Sequence, residues 1–382
     1  MKTEFFSYAD LTWPEVKALS RDTPLVLPLG AGYDLQALAE ALGDSPRVGL
    51  LPALPFGWEG SGLEVPKDFL GACLSNLLDG LREDGFQRVH TLTPQSVHLE
   101  TGASAIKLDN GSSTGLEALP PDSERSKVIL IPIGHTEQHG LHLPLCTDTV
   151  IIETIGQGTA RSVPEKACCL PTTPYGVSMH RRAFAGTLTT GGRAFEDFCL
   201  AVVDALTERG FDRFYFLSGH GGNGSFLTNV VKYAGDRHRR IFCATAGLYL
   251  SGPEGVTVLE KHRRSKIGGM GHACELETSL MLHLRPELVH MELVVDEVDF
   301  VSTPAYYMDW VEGGALISNP AWDDDSRTGA YGAGSLASAE HGKIWLDTAV
   351  AEKVTHVAEI HEQHTRREER RNSGYGLWGD NQ

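Results

Sequence analysis

The chain has 382 residues, with 33 Lys+Arg against 50 Asp+Glu and a formal net charge of −17 at pH 7, so it offers no cationic surface for nucleic acid or an anionic membrane. Hydrophobic residues at 41% and charged residues at 22% are those of a globular protein with room for roughly two domains of about 150 residues, which excludes disordered and fibrous classes. No window reaches the roughly 20 apolar residues of a membrane span, and Met1–Asp10 lacks a basic stretch followed by an apolar one, so a soluble cytoplasmic protein is expected.

In chain order, the first 105 residues contain Val26–Gly30 (VLPLG), Leu51–Gly57 (LPALPFG) and Leu77–Leu92 (LLDGLREDGFQRVHTL). From about residue 126 short apolar runs alternate with helical patterns, the signature of βαβ units and a largely parallel sheet. Val128–Ile133 (VILIPI) reads as a buried strand, Asp148–Ala160 as a helix, Cys169–Pro171 as a short strand and Ala194–Arg209 as an amphipathic helix closed by Gly210. Arg213–Leu217 is a strand that runs into Ser218-Gly219-His220-Gly221-Gly222-Asn223, and Ile241–Ala246 is another. The charged, then glycine-rich stretch 366–382 is expected to be a flexible tail. Set side by side, 26–30 matches 129–134 in kind, 51–57 matches 170–176 (LPTTPYG) and 77–92 matches 202–217 (VVDALTERGFDRFYFL). Three matches in order predict a duplication. Seven scattered cysteines without paired spacing predict neither a disulfide framework nor a zinc ribbon.

Three clusters carry chemistry, and the first two fall after strand ends, where open α/β sheets place their ligand sites. The first is Gly134–Asp148, GHTEQHGLHLPLCTD. Glu137 and His139 are two apart and project to one side of extended backbone, and Asp148 reaches the same point if the loop folds back. The second is His220 among glycines 219, 221 and 222, which suit a tight turn exposing one imidazole; a phosphate cradle would need a Lys and a P-loop spacing that are absent. The third is Gly271–Leu282, GHACELETSLML. A helix from its start would put His272 and Glu275 on one face and Glu277 on another, so only one carboxylate should reach the site. Such a set of carboxylates and imidazoles suits zinc, manganese or iron, with enough ligands for two ions. A dinuclear centre lowers the pKa of water and polarises a carbonyl, while a nearby His moves a proton.

At these residues the chain resembles the creatininase (creatinine amidohydrolase) family, through GHTEQHGLHLPLCTDT, PTTPYGVSMHRRAFAGTL, SGHGGN and GHACELETSLML over about 126–290. The resemblance implies an α/β, creatininase-like three-layer fold with a mostly parallel sheet, in which Glu137 and His220 bind one divalent metal, His139 the second, and Asp148 bridges them. It implies His272 as the proton-transfer residue. Creatinine hydrolase itself carries a Tyr and a metal-binding Glu after the glycine-turn His, where this chain has Gly221 and Gly222. Glu275 is therefore expected to supply the replacement ligand, with Glu277 beside His272 on the catalytic side. Tyr175, Ser178, His180, Gly221 and Gly222 are expected to line the substrate pocket, and Ala185 stands where Pro is usual at its rim.

The resemblance implies a metal-dependent hydrolase of a C–N bond in a cyclic amide, formamide or related small amide, with a metal-bridging hydroxide as nucleophile. Family members also trim a precursor peptide or open a cyclic polyol ketone at a C–C bond, and a noncatalytic metal-binding regulatory subunit is the reading of another class. Creatinine is not the expected substrate, and a homo-oligomer is expected. Residues 119–365 form the catalytic domain on this reading. In 1–118, aligned on the glycines, Tyr33, Leu35 and Gln95 replace Glu137, His139 and His220, so a degenerate copy without metal ligands is expected.

Overall fold

Strands of three to six residues alternate with helices twice along the chain, and each series closes its own parallel sheet. The computed structural model describes residues 2–99, 101–102, 104–110, 119–179, 183–310 and 313–374. The first series is β1 (Glu4–Ser7), α1 (Trp13–Ala18), β2 (Leu25–Pro28), α2 (Leu35–Ala41), β3 (Arg47–Leu50), α3 (Lys67–Glu83), β4 (Val89–Pro94) and β5 (Ser104–Leu108). Its strands are parallel in the order β1-β3-β2-β4-β5. The second is β6 (Val128–Ile133), α4 (Thr147–Ser162), β7 (Ala167–Cys169), α5 (Gly192–Glu208), β8 (Arg213–Ser218), α6 (Gly224–Arg237) and β9 (Phe242–Thr245), parallel in the order β7-β6-β8-β9. There follow α7 (Pro253–His262), β10 (Met270–His272), α8 (Glu275–Leu284), β11 (Tyr331–Gly332) and α9 (Ala339–Asn372), with β10 and β11 antiparallel.

The α/β class and the parallel pairing are as the sequence predicts, with three local differences. The strand expected at Cys169–Pro171 lies at Ala167–Cys169; Pro171 has no N–H to give a ladder. Residues 366–372 continue α9, and Arg371 Nη2 donates to the Arg239 carbonyl at 2.8 Å, so that part of the expected tail is helix. The helix expected from residue 271 begins at Glu275, because Ala273 has φ +49°. A left-handed residue ends β10 and turns the chain before α8 can start, at a conformational cost of about 1–2 kcal/mol.

Alternation along the central strands sets the layers. Ile129, Ile131 and Ile133 of β6 face one core with α3, α5 and α6, while Val128 and Leu130 face another with α4, α8 and α9. In β2, Leu25, Leu27 and Leu29 just beyond it face that same first core, while Val26 faces outward onto α2. The two sheets thus share one core, with α3 and α5 packed between them. Helix α8 is fixed against α9 by Gly342, where any Cβ would run into the Ser279 carbonyl.

The joints of the two series agree bond for bond. Gly30 N donates to Leu54 O and Gly134 N to Thr173 O, both at 2.9 Å; Leu51 N donates to Val26 O and Leu170 N to Leu130 O, again at 2.9 Å. Both α3 and α5 end on a left-handed glycine, Gly85 (φ +93°) and Gly210 (φ +92°). The next residues, Phe86 and Phe211, each donate back to Leu81 and Leu206 at 3.1 Å, the same C-terminal cap built twice.

Candidate metal centre

Seven ionisable side chains meet beyond the carboxyl ends of β6 and β8, each no more than 3% exposed: His135, Glu137, His139, Asp148, His220, His272 and Glu277. The loop after β6 delivers the first three at alternate positions. Asp148 is the second residue of α4, His220 follows β8, His272 ends β10 and Glu277 is the third residue of α8. Glycines make the convergence sterically feasible. A Cβ at Gly219 would sit 2.6 Å from the Asp148 carbonyl oxygen, and one at Gly222 would collide with Val177 O and the His220 ring.

His220 Nδ1 lies 2.9 Å from Glu137 Oε1 and 3.2 Å from Asp148 Oδ2. His139 Nε2 lies 3.1 Å from Asp148 Oδ1 and 3.9 Å from Glu277 Oε1, and His272 Nδ1 lies 3.8 Å from Glu137 Oε1. Asp148 therefore stands between the two imidazoles, one oxygen toward each. Metal–ligand bonds of about 2.0–2.2 Å imply ligand–ligand edges of roughly 3–3.5 Å, which these separations approach. The sets Glu137–His139–His272 and His139–Asp148–Glu277 each bring their donor atoms within 4.8 Å of one another.

Tautomers sharpen the fit. His139 Nδ1–H donates to the Glu137 carbonyl at 3.0 Å, His220 Nε2–H to Val177 O at 3.0 Å and His272 Nε2–H to Gln138 O at 2.7 Å. A carbonyl oxygen only accepts, so the other nitrogen of each ring is left to turn its lone pair into the cluster, the arrangement that orients metal-binding histidines. Hard oxygen donors and borderline imidazoles suit zinc, manganese or iron.

Burial alone would push the His139 pKa down, but Asp148, then Glu277 and Glu137, override it and raise it to about 9. His220 behaves alike: burial opposes its cation, Glu137 and Asp148 favour it, and the result is again about 9. His142 is pushed down to about 4, by burial and then by His139; it stays neutral and meets Thr278 Oγ1 at 2.9 Å, tying the β6 loop to α8. Tyr249 donates to Gly219 O at 2.6 Å and stands 3.5 Å from Asp148 Oδ1.

Several expected site residues lie elsewhere. Glu275 is buried, but its carboxylate accepts from the backbone N–H groups of Arg264 (2.8 Å) and Ser265 (2.7 Å). The acidic side chain of α8 that reaches the cluster is Glu277, because the helix begins only at Glu275, after the left-handed turn at Ala273. Tyr175 does not line the site: its hydroxyl donates to Pro52 O at 2.5 Å, against the first series of elements. Gly222 is accounted for by the atoms packed against it, whereas Gly221 is exposed and a Cβ there would meet only Leu248, at an ordinary 3.8 Å. The buried Ser178 Oγ has no partner among the described residues, and His180 lies outside them. His135 joins the cluster without having been among the expected residues; its place two residues before Glu137 repeats the spacing that singles out His139. Nothing in the sequence signals Tyr249, which reaches the site from the loop after β9.

The family model described as creatinine amidohydrolase matches residues 113–357. A mycofactocin precursor peptide peptidase of Mycobacterium ulcerans is 34% identical over 168 residues, 42% of this chain and 60% of that protein, so the match spans about three fifths of that relative. A 3-dehydro-scyllo-inosose hydrolase of Thermotoga maritima is 30% identical over 235 residues, 56% of this chain and 72% of that protein. A solved structure described as creatininase Mn superposes with a TM-score of 0.52 at 22% identity, covering 62% of this chain and 92% of that one; it has the same fold.

Two outcomes are expected. Glu277→Gln should lower the divalent metal bound per chain, whereas Glu275→Gln should leave metal binding intact and cost about 1–2 kcal/mol of stability; elemental analysis and urea denaturation separate the two. In chelator-stripped protein His139 and His220 have folded pKa values of about 9 against an ordinary 6.5. Their contribution is full below pH 6.5 and lost as pH rises through 9. Melting temperatures measured across that range should fall, and a flat profile would contradict the assignment.

Proposed function

The chain belongs to the creatininase family, and from that premise we propose that it is a metal-dependent hydrolase of a C–N bond in a small amide, cyclic amide or formamide. The observation that carries this is the convergence of Glu137, Asp148 and Glu277 with three imidazoles whose outward N–H groups are held by backbone carbonyls. Glu137, Asp148, Glu277, His139 and His220 would hold two divalent ions, with Asp148 between them. Ions bound there would supply a water of lowered pKa and polarise the substrate carbonyl. His272 presents Nδ1 toward the cluster while its other nitrogen is anchored, which suits it to carry a proton to the leaving nitrogen. The Trp322 ring stands edge-on to His272 at 5.8 Å and, with Phe184 and Tyr331, excludes water from that side. Ser178 Oγ is the pocket hydroxyl proposed to meet substrate.

Creatinine is disfavoured as substrate. At position 222, where creatinine hydrolase carries its acidic ligand, Val177 O and the His220 ring fill the side-chain space, and Glu277 takes over the acidic role from another direction. Among the described residues no helix is long and apolar enough to cross a membrane. The cysteines are free thiols, in keeping with a cytoplasmic setting. Exposed Leu293, Val298, Val301, Leu316 and Ile317 give the apolar surface that a homo-oligomer would cover. Asp148→Ala should remove bound metal and reduce turnover by about 10³-fold or more, on whichever of a panel of lactams, formamides, short peptides and cyclic polyol ketones the wild type hydrolyses. Full turnover by that variant would refute the mechanism, and two metal equivalents with no turnover on any compound would favour a regulatory subunit.

Residues 1–118 are, on our reading, a ligand-stripped copy of the unit that follows, now serving to hold its loops. The bond-for-bond joints support the copy, and Tyr33 at the place of Glu137 spends its hydroxyl on Leu29 O. The holding is direct. Leu145 N donates to Leu11 O and Cys146 N to Ala9 O, both at 2.9 Å, just before Asp148. Gly186 N donates to Asp84 Oδ2 at 2.8 Å, and Trp13 Nε1 donates to Thr328 O at 2.8 Å while its ring meets Phe184. Asp84→Ala should raise amide exchange across 184–190 about tenfold or more with metal content unchanged; unaltered exchange would remove the loop-holding role.

A further inference from the structure

His135 has a different relation to the cluster from the other three imidazoles. The Gly176 backbone N–H donates to its Nδ1 at 2.9 Å. A backbone N–H can only donate, so Nδ1 must carry the lone pair and Nε2 the hydrogen. The peptide that follows is held at both ends: the Gly176 carbonyl accepts from Thr190 N (3.0 Å) and Thr190 Oγ1 (2.9 Å), and Val177 N donates to Asn223 Oδ1 at 3.0 Å. A Cβ on Gly176 would collide with the Asn223 side chain, so the chain is packed closely where Gly176 N–H meets the ring.

The hydrogen-bearing Nε2 lies 3.9 Å from Glu137 Oε2. That is the opposite oxygen from the one beside His220 and His272, and about 1 Å beyond hydrogen-bond length. The ring lies over that of His220 at 4.4 Å, tilted by 31°. His135, Glu137 and His220 offer donor atoms within 4.8 Å of one another, but an N–H has no lone pair for a cation.

We infer that His135 is a positioning residue and not itself a ligand: its Nε2–H faces Glu137 Oε2 across 3.9 Å, and donation there as the carboxylate takes up a metal would hold the other oxygen toward that metal. This rests on the metal-centre reading above. The group is a fixed neutral donor behind a ligating carboxylate, of the kind whose loss typically costs 10–100-fold in metal affinity.

The test uses the full chain as wild type, His135→Ala and His135→Gln, with zinc as probe. Equivalents bound at saturation are read by elemental analysis, affinity by chelator competition and folding by thermal melts. Both variants should bind two equivalents, as the wild type does. His135→Ala should bind 10–100-fold more weakly, and His135→Gln, which keeps an N–H, should recover most of that loss. An equivalent lost at saturation in either variant would make His135 a ligand, and unchanged affinity in His135→Ala would deny it any role; both overturn the inference. If His135→Ala does not fold, the stoichiometry and affinity of His135→Gln decide. Wild type that binds no zinc would overturn the metal-centre reading itself, and this inference with it.

Discussion

Three carboxylates buried at one point, Glu137, Asp148 and Glu277, are the constraint around which the rest of the molecule is arranged. Charges of one sign a few ångströms apart in a dry interior repel strongly, and the His139 and His220 imidazoles, both pushed against their burial up to about 9 by these carboxylates, stand against them as the compensating positive charge. The local architecture is what such a point requires. Two carboxylates sit in the first turns of helices α4 and α8, where helix dipoles favour negative charge. Glycines at 219 and 222 give up side chains so that backbone and imidazole can close in, and the left-handed Ala273 lets His272 and Glu277 come from a strand and a helix only two residues apart.

The four histidines divide the work through what lies behind them. Three have backbone carbonyls at their backs and one has a backbone amide. This single inversion of the partner turns an electron-pair donor into a hydrogen donor without changing the residue type. A side chain's chemistry here is decided by the peptide groups of neighbouring loops, and some of those loops are met by the first series of elements: Ala9, Leu11, Trp13 and Asp84 hydrogen-bond to Cys146, Leu145, Thr328 and Gly186.

Much of this was legible in the sequence. The strands at 128–133 and 213–217, the amphipathic α5, and the gathering of Glu137, His139, Asp148, His220 and His272 follow from periodicity and from polar clusters placed after strand ends. The choice between Glu275 and Glu277 was not legible, because it depends on where α8 begins, and that depends on a positive φ at an alanine that nothing in the sequence announces. Helix spacing lets one carboxylate face the cluster, and the one placed there is Glu277, while Glu275 meets the backbone N–H groups of Arg264 and Ser265. Tyr175 is a pocket residue by the family resemblance alone, but its hydroxyl is taken up by Pro52 O across a contact of high sequence separation. His135 was legible in principle, since alternate positions on one extended segment point the same way.

The core shared between the two sheets, read as the meeting of two related halves, bears on how such a protein can change. When a self-complementary face joins two identical subunits, every substitution arrives on both sides at once, and a mutation that improves one edge can spoil the other. With both halves in one chain, α3 and α5 meet across the same kind of face but are inherited as separate stretches of sequence. One half is then free to lose its chemistry and refine its grip, while the other keeps its chemistry and is relieved of the need to match itself.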